Sequence, residues 1–307
     1  MRIVFLGTPE VAVPSLEAFA AAEDVEIAAV VTNPDRPRGR RGTPQPPPVK
    51  VAAEAAGLEV WQPTKAREIV EDLRALRVDA CAVVAYGALL PPAVLEAGGR
   101  GFVNLHFSLL PRWRGAAPVQ HALRAGDRVT GVTTFVLDQG MDTGPVLDRL
   151  EVEIRPDETA GELLARLAEA GADLLVDSVR RLVAGAVPEP QPDEGATLAP
   201  KITPDDVAID LGEEPSTVVD LVRSASPAPG AHTTFRGRRV KVLRASVAEG
   251  SGAPGEVLGV DDGVVVASGG GAVRLLEVQP EGKARMDGRA FANGYQPAPG
   301  ERLGDTG

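Results

Sequence analysis

The chain is poor in the residues that several common chemistries need. Among its 307 residues it has one cysteine, three histidines, two tryptophans and two tyrosines. A lone cysteine excludes a disulfide framework, and Cys81, inside Ala80-Cys81-Ala82-Val83-Val84, reads as a small buried apolar residue. No HExxH and no paired Cys/His set occurs, which argues against a resident metal. Gly7-Thr8-Pro9 stands after the first apolar run where a G-x-G-x-x-G would sit, so the dinucleotide fingerprint is missing. No run approaches the ~20 apolar residues of a membrane span. The opening Met1-Arg2-Ile3-Val4-Phe5-Leu6-Gly7 is a buried-strand pattern, too short for a signal peptide. A cytoplasmic protein is the expectation.

Positive charge is also in the minority, 32 Lys and Arg against 43 Asp and Glu, a net −11. That sum argues against a polyanionic partner, but distribution matters more. Arg36, Arg38, Arg40, Arg41 and Lys50 form one basic cluster, opposed only by Asp35. Arg236, Arg238, Arg239, Lys241 and Arg244 form a second with no acid between them. Charge alone leaves solvated loops and polyanion contacts equally open.

Strand-like and helix-like segments alternate over residues 1–187. Strands are expected over 2–6, 26–31, 79–85, 102–107 and 131–137, and helices over 14–22, 49–56, 66–76, 116–125 and 158–184. This alternation points to an α/β domain with a doubly wound, Rossmann-like parallel sheet. The 33–48 loop holds six prolines and four arginines, a composition that opposes a central strand. Residues 188–204, with five prolines, read as a linker. Over 205–307 a short helix (216–224) precedes five short strands with Gly-rich turns, at 231–235, 239–245, 255–258, 263–267 and 272–278. They suggest a small β-barrel.

The chemistry concentrates in Asn104, His106 and Asp142. Asn104 and His106 are two residues apart in an extended run, so they share one face. A Pro/Arg/Gly-rich turn follows at once, as where a strand runs into a functional loop. Asp142 lies in Asp138-Gln139-Gly140-Met141-Asp142-Thr143-Gly144-Pro145, just after another strand. Sites in open α/β sheets form outside the carboxyl ends of strands, so the three could converge there. An amide and an imidazole suit an oxyanion, and a carboxylate can orient the imidazole or relay a proton. That set fits acyl transfer between nitrogens. An aspartic-protease reading of Asp142-Thr143-Gly144 needs a second acid on β-rich lobes and is rejected. His121 reads as structural, and nothing is assigned to His232.

The run Asn104-Leu105-His106 with Ser108-Leu109-Leu110-Pro111 resembles the signature of the folate-dependent formyltransferases. Its continuation through Arg112-Trp113-Arg114-Gly115-Ala116-Ala117-Pro118 resembles the methionyl-tRNA formyltransferases within that group. Further likeness lies in Pro34-Asp35-Arg36-Pro37, Val84-Ala85-Tyr86-Gly87, Met141-Asp142-Thr143-Gly144 and Val240-Lys241-Val242. The resemblance implies that Asn104, His106 and Asp142 are catalytic and that Ser108, Leu109, Leu110 and Pro111 contact folate. It implies a formyltransferase domain at 1–187, a linker at 188–204, and an OB-like domain at 205–307 that contacts tRNA. The 33–50 loop would meet the tRNA acceptor end, with Arg40 at the key basic position. Arg36, Arg38, Arg41, Lys50, Arg238, Arg239 and Lys241 would contribute to tRNA binding. The activity implied is formyl transfer from 10-formyltetrahydrofolate, a co-substrate, to initiator methionyl-tRNA. A monomer with no metal, no tightly bound cofactor and no membrane partner is expected. Rival readings are a sugar-nucleotide N-formyltransferase, a dinucleotide-dependent oxidoreductase and a binding module with a decayed site.

Overall fold

A computed structural model describes residues 1–37, 42–260 and 262–304. By contact the chain divides into two units. One comprises Met1–Gly115, Val129–Glu153 and Leu164–Leu198; the other comprises Ala116–Arg128, Ile154–Leu163 and Ala199–Gly307. Two short segments before residue 164 thus belong with the carboxyl-terminal unit. Most of the Pro-rich segment 188–204 belongs with the first.

The order of elements up to residue 183 is β1 (Arg2–Gly7), α1 (Val13–Ala21), β2 (Glu26–Val31), β3 (Arg36–Pro37), β4 (Pro44–Gln45), α2 (Pro48–Ala55), β5 (Val60–Trp61), α3 (Val70–Leu76), β6 (Ala80–Val84), α4 (Pro92–Leu95), β7 (Phe102–His106), α5 (Pro118–Arg124), β8 (Val129–Val136), β9 (Val146–Glu153) and α6 (Ala160–Val183). Prolines open α2, α4 and α5, where a missing N–H costs nothing. The main sheet runs β5-β2-β1-β6-β7-β8-β9. Pairing is parallel from β5 through β7. β8 then runs antiparallel to β7, and β9 antiparallel to β8. The sheet expected to be parallel is therefore mixed at one end, because β8 returns alongside the strand it follows. β9, in which only Leu150-Glu151-Val152-Glu153 alternates apolar and polar residues, is a strand the sequence analysis does not assign.

β1 and β6 are buried on both faces, hence their unbroken apolar sequence. Register sorts those faces. Phe5, Ala82 and Val103 are successive partners, as are Val4, Cys81 and Phe102. Phe5 meets Phe19 of α1 edge to face, and Leu105, on the same side as Val103, touches Gly171 of α6. Val4, Cys81 and Phe102 join Leu73 of α3 and Val94 of α4 in one cluster. Val83 pairs with Asn104, so Asn104 and His106 lie on the α3/α4 side. Cys81 is fully buried, and burial pushes its thiol up to about 12.

In the second unit, α7 (Pro215–Ala225), β10 (Ala231–Phe235), β11 (Arg238–Ala248), β12 (Val257–Gly259), β13 (Val264–Ser268), β14 (Gly271–Pro280), β15 (Met286–Asp287) and α8 (Gly288–Tyr295) follow in order. The antiparallel sheet runs β10-β11-β14-β13-β12, with β15 on β14. Its two edges are joined by the tail. The Leu303 N–H donates to Gly255 O at 2.8 Å, and the Gly304 N–H to Thr234 O at 2.9 Å. This closes an OB-like barrel and leaves neither edge open along that stretch. Val242, Val266, Val273 and Val278 fill it, with Val222 of α7 and Phe291 of α8. The Asp287 side chain caps α8 by accepting from the Ala290 N–H at 2.6 Å.

Gly131 shows how tightly β8 is held. A Cβ there would lie 2.1 Å from the Leu150 carbonyl oxygen and 2.7 Å from Leu109 Cδ2. Gly131→Ala should therefore destabilise the first unit by about 1–3 kcal/mol. Thermal melting checks this: an unchanged apparent Tm would contradict the packing described.

Candidate active site

β7 presents Asn104 and His106 on one face, two residues apart. Asn104 is half-buried, and its amide has no hydrogen-bond partner among the described residues. His106 is only 6% exposed. Its ring stands edge to face against Phe135 of β8, centroids 6.4 Å apart. The Nε2 atom lies 2.8 Å from the Trp113 carbonyl oxygen. A carbonyl can only accept, so Nε2 carries the proton and donates it. The neutral ring then leaves Nδ1 as a bare lone pair, 3.6 Å from Asp142 Oδ2. Burial pushes the His106 pKa below its ordinary value, against the opposing pull of Asp142 and the Trp113 hydrogen bond. His106 is consequently a neutral base near pH 7, with a carboxylate beside its free nitrogen.

Asp142 arrives by a route that strand order alone does not give. Because β8 is antiparallel, its last residue, Val136, pairs with Val103 at the amino end of β7. The strand-end argument therefore does not bring Asp142 to His106; the 137–145 loop does, by turning back. Asp138 Oδ1 accepts from the Gly140 N–H at 2.9 Å and from Thr143 Oγ1 at 2.8 Å, which folds the loop. A Cβ on Gly144 would fall 1.8 Å from the Val136 carbonyl oxygen, so the return path admits only glycine. Asp142 itself has φ 53°, left-handed backbone that Asp tolerates better than most residues. Its Oδ2 accepts from the Gly115 N–H at 2.8 Å.

The turn 108–115 between these groups is pinned from two sides. Thr133 Oγ1 on β8 donates to Ser108 O at 2.7 Å and accepts from the Leu110 N–H at 3.1 Å. On the other side, the Trp113 N–H donates to Thr197 Oγ1 at 2.9 Å and the Arg114 N–H to Thr197 O at 2.8 Å. Ser108 is fully buried, its Oγ donating to Arg112 O at 2.6 Å. Leu110 packs on Phe135 and Val146. Of the four residues marked for folate, Leu109 and Pro111 keep partial exposure.

The basic residues are placed as follows. Arg36 is exposed on β3, which pairs antiparallel with β4. Arg38, Arg40 and Arg41 lie outside the described residues. Lys50 Nζ sits 3.0 Å from both Asp35 oxygens, and Gln62 Nε2 donates to Asp35 Oδ1 at 2.8 Å. Those two partners hold the Asp35 carboxyl below the usual carboxylate range, Gln62 first. Lys50 thus closes the base of the loop. In the second unit Arg238 and Arg239 are exposed, while Lys241 Nζ donates to Pro229 O at 2.7 Å. Arg238 borders a cavity of about 230 Å³ that Phe235, Val240 and Tyr295 also line. His121, in α5, bonds the Pro200 carbonyl at 2.9 Å.

Sequence reading missed the part played by the segment after α6. Glu189 exchanges backbone hydrogen bonds with Val146, and Gln191 and Thr197 reach the loops on either side of His106. The available signal was Pro190-Gln191-Pro192, an amide fixed between two residues that preset extended backbone.

Known proteins give this site a context. The formyl transferase family profile matches residues 1–179, and the formyl transferase C-terminal domain profile matches 201–296. A methionyl-tRNA formyltransferase of Streptomyces griseus subsp. griseus is 50% identical over 309 residues, covering 99% of this chain and 100% of that protein. Among solved structures, a sugar 3N-formyl transferase determined with dTDP and 5-N-formyl-THF has a TM-score of 0.68 at 14% identity, covering 92% of this chain and 99% of that one. Methionyl-tRNA formyltransferase from Clostridium thermocellum has a TM-score of 0.60 at 17% identity, covering 81% and 94%. The solved structures share the fold, and the full-length identity carries the kinship: the chain belongs to the methionyl-tRNA formyltransferases of the formyl transferase family.

Proposed function

We infer that the chain transfers the formyl group of 10-formyltetrahydrofolate to the methionine amino group of initiator methionyl-tRNA. Full-length identity to a protein of that name supports the substrates. The observation that carries the chemistry is the approach of Asp142 Oδ2 to the proton-free Nδ1 of a buried, neutral His106.

We propose these roles. The aminoacyl amine starts near the α-amino range of ~7.7–8.0, so a useful neutral fraction exists near pH 7. Its nitrogen attacks the formyl carbon, and a tetrahedral oxyanion forms. Asn104, whose amide has no partner among the described residues, donates to that oxygen. The new N–C bond leaves the amine nitrogen with a surplus proton, which His106 Nδ1 accepts. Asp142 stabilises the imidazolium so formed. The same proton then passes to N10 of the folate as the C–N10 bond breaks, and neutral His106 is restored. Leu109 and Pro111 would touch folate directly, Ser108 and Leu110 through the shape of the turn.

The proposed tRNA contacts are Arg36, Arg38, Arg40, Arg41, Lys50, Arg238, Arg239 and Lys241, supported by charge clustering in an acidic chain. Lys50 would act by holding the loop's base. The trio lies on one chain and the acceptor is a tRNA, so we propose a monomer working in the cytoplasm. Among the described residues no helix is long and apolar enough to cross a membrane.

With 10-formyltetrahydrofolate as donor, wild-type protein should formylate methionyl-tRNA and not an amino-sugar nucleotide. Asn104→Ala should lower kcat by ~10²–10³-fold. Transfer to the sugar nucleotide alone would keep the chemistry and overturn the acceptor. In the pH profile, kcat should rise through a limb below the ordinary imidazole value, because the base is a His whose pKa burial lowers. Asp142→Asn removes the charge that pulls this pKa up, so the limb should move further down as kcat falls. A limb that moved up would contradict the assigned charge states.

A further inference from the structure

Gln191 uses all its hydrogen-bonding capacity at the site without touching the trio's reacting atoms. Its Nε2 donates to Asp142 O at 2.9 Å and to Gly144 O at 2.7 Å. Its Oε1 accepts from Arg114 Nε at 3.1 Å and Nη2 at 2.8 Å. An amide offers two N–H groups and one oxygen with two lone pairs, and every one is engaged. Arg114 lies between Trp113, whose carbonyl holds His106, and Gly115, whose N–H holds Asp142. One side chain therefore ties the loop that carries Asp142 to the turn that positions both catalytic partners.

We propose that Gln191 is a positioning residue for formyl transfer, fixing the Asp142 loop against the Trp113–Gly115 turn so that the carboxylate stays beside His106 Nδ1. This rests on His106 and Asp142 being the catalytic pair. The fold does not depend on the contact: the strap is separately held by the Glu189–Val146 backbone pair and by Thr197. What Gln191 adds is a hold on two carbonyls flanking Thr143, next to a residue with φ 53°. Glutamate keeps the length and the acceptor for Arg114 but turns a carboxylate toward those carbonyls. Methionine keeps the approximate length and loses every polar contact.

The test uses full-length Gln191→Met and Gln191→Glu beside wild type, with steady-state kinetics and an NMR titration of the histidine side chains. Three histidines make His106 assignable. Both variants should lose on the order of 10- to 100-fold in kcat, the cost of a misplaced catalytic group. KM for both substrates should stay within about threefold, since binding surfaces are untouched. In Gln191→Met the His106 pKa should fall below the wild-type value, as Asp142 draws away. Wild-type kcat in either variant, a rise in both KM values at constant kcat, or an unmoved His106 titration would overturn the proposal. The titration reads the geometry without turnover. Inactive wild-type protein would therefore sink the formyl-transfer reading separately.

Discussion

The hydrogen bond from His106 Nε2 to the Trp113 carbonyl decides which imidazole nitrogen can do chemistry. Once Nε2 is committed, Nδ1 is the only basic atom on the ring, and it faces a carboxylate rather than a donor. Two acceptors 3.6 Å apart make no bond with each other; they form a receptacle for a proton. Burial keeps the receptacle empty in the resting protein by opposing the imidazolium, and Asp142 limits that opposition. The balance suits a base that must take up a proton and release it within one turnover.

Holding Trp113 where its carbonyl can do this requires three separate stretches of chain. β7 and β8 supply the platform, with Thr133 gripping the turn from below. The Asp142 loop closes the side of the site, and Gly115 anchors its carboxylate. The strap after α6 locks the turn from outside through Thr197 and Gln191. Trp113, with φ 62°, occupies left-handed backbone that only such surroundings maintain. The site is thus preorganised by backbone contacts, and few of its supporting groups are charged.

Much of this was legible from residue order, and the failures have physical causes. β1, β6 and β7 announce themselves as apolar runs because nearly every residue on both faces is buried, and Asn104 and His106 are visible as polar intrusions in such a run. Apolar content reports burial and not direction, so the reversal of β8 was hidden. With it went the reason Asp142 reaches His106. A proline-rich stretch signals extended backbone, which fits a free linker and a docked strap alike; only contact distinguishes them, and 189–198 is docked. α8 escaped because it is short and carries Gly288 and Gly294, residues of poor helix propensity, although its apolar face buries Phe291 and Ala292. By residue order Lys50 is one charge in a basic cluster, whereas in the structure its partner is Asp35 across the loop's base.

The most direct check on this account is the tautomer of His106 in the free protein near neutral pH, read by ¹⁵N NMR of the imidazole nitrogens. The account expects a neutral ring with the proton on Nε2 and a pyridine-like Nδ1. A ring protonated on Nδ1 instead, or a fully charged imidazolium, would contradict the assignment of His106 as the group that accepts the amine's proton.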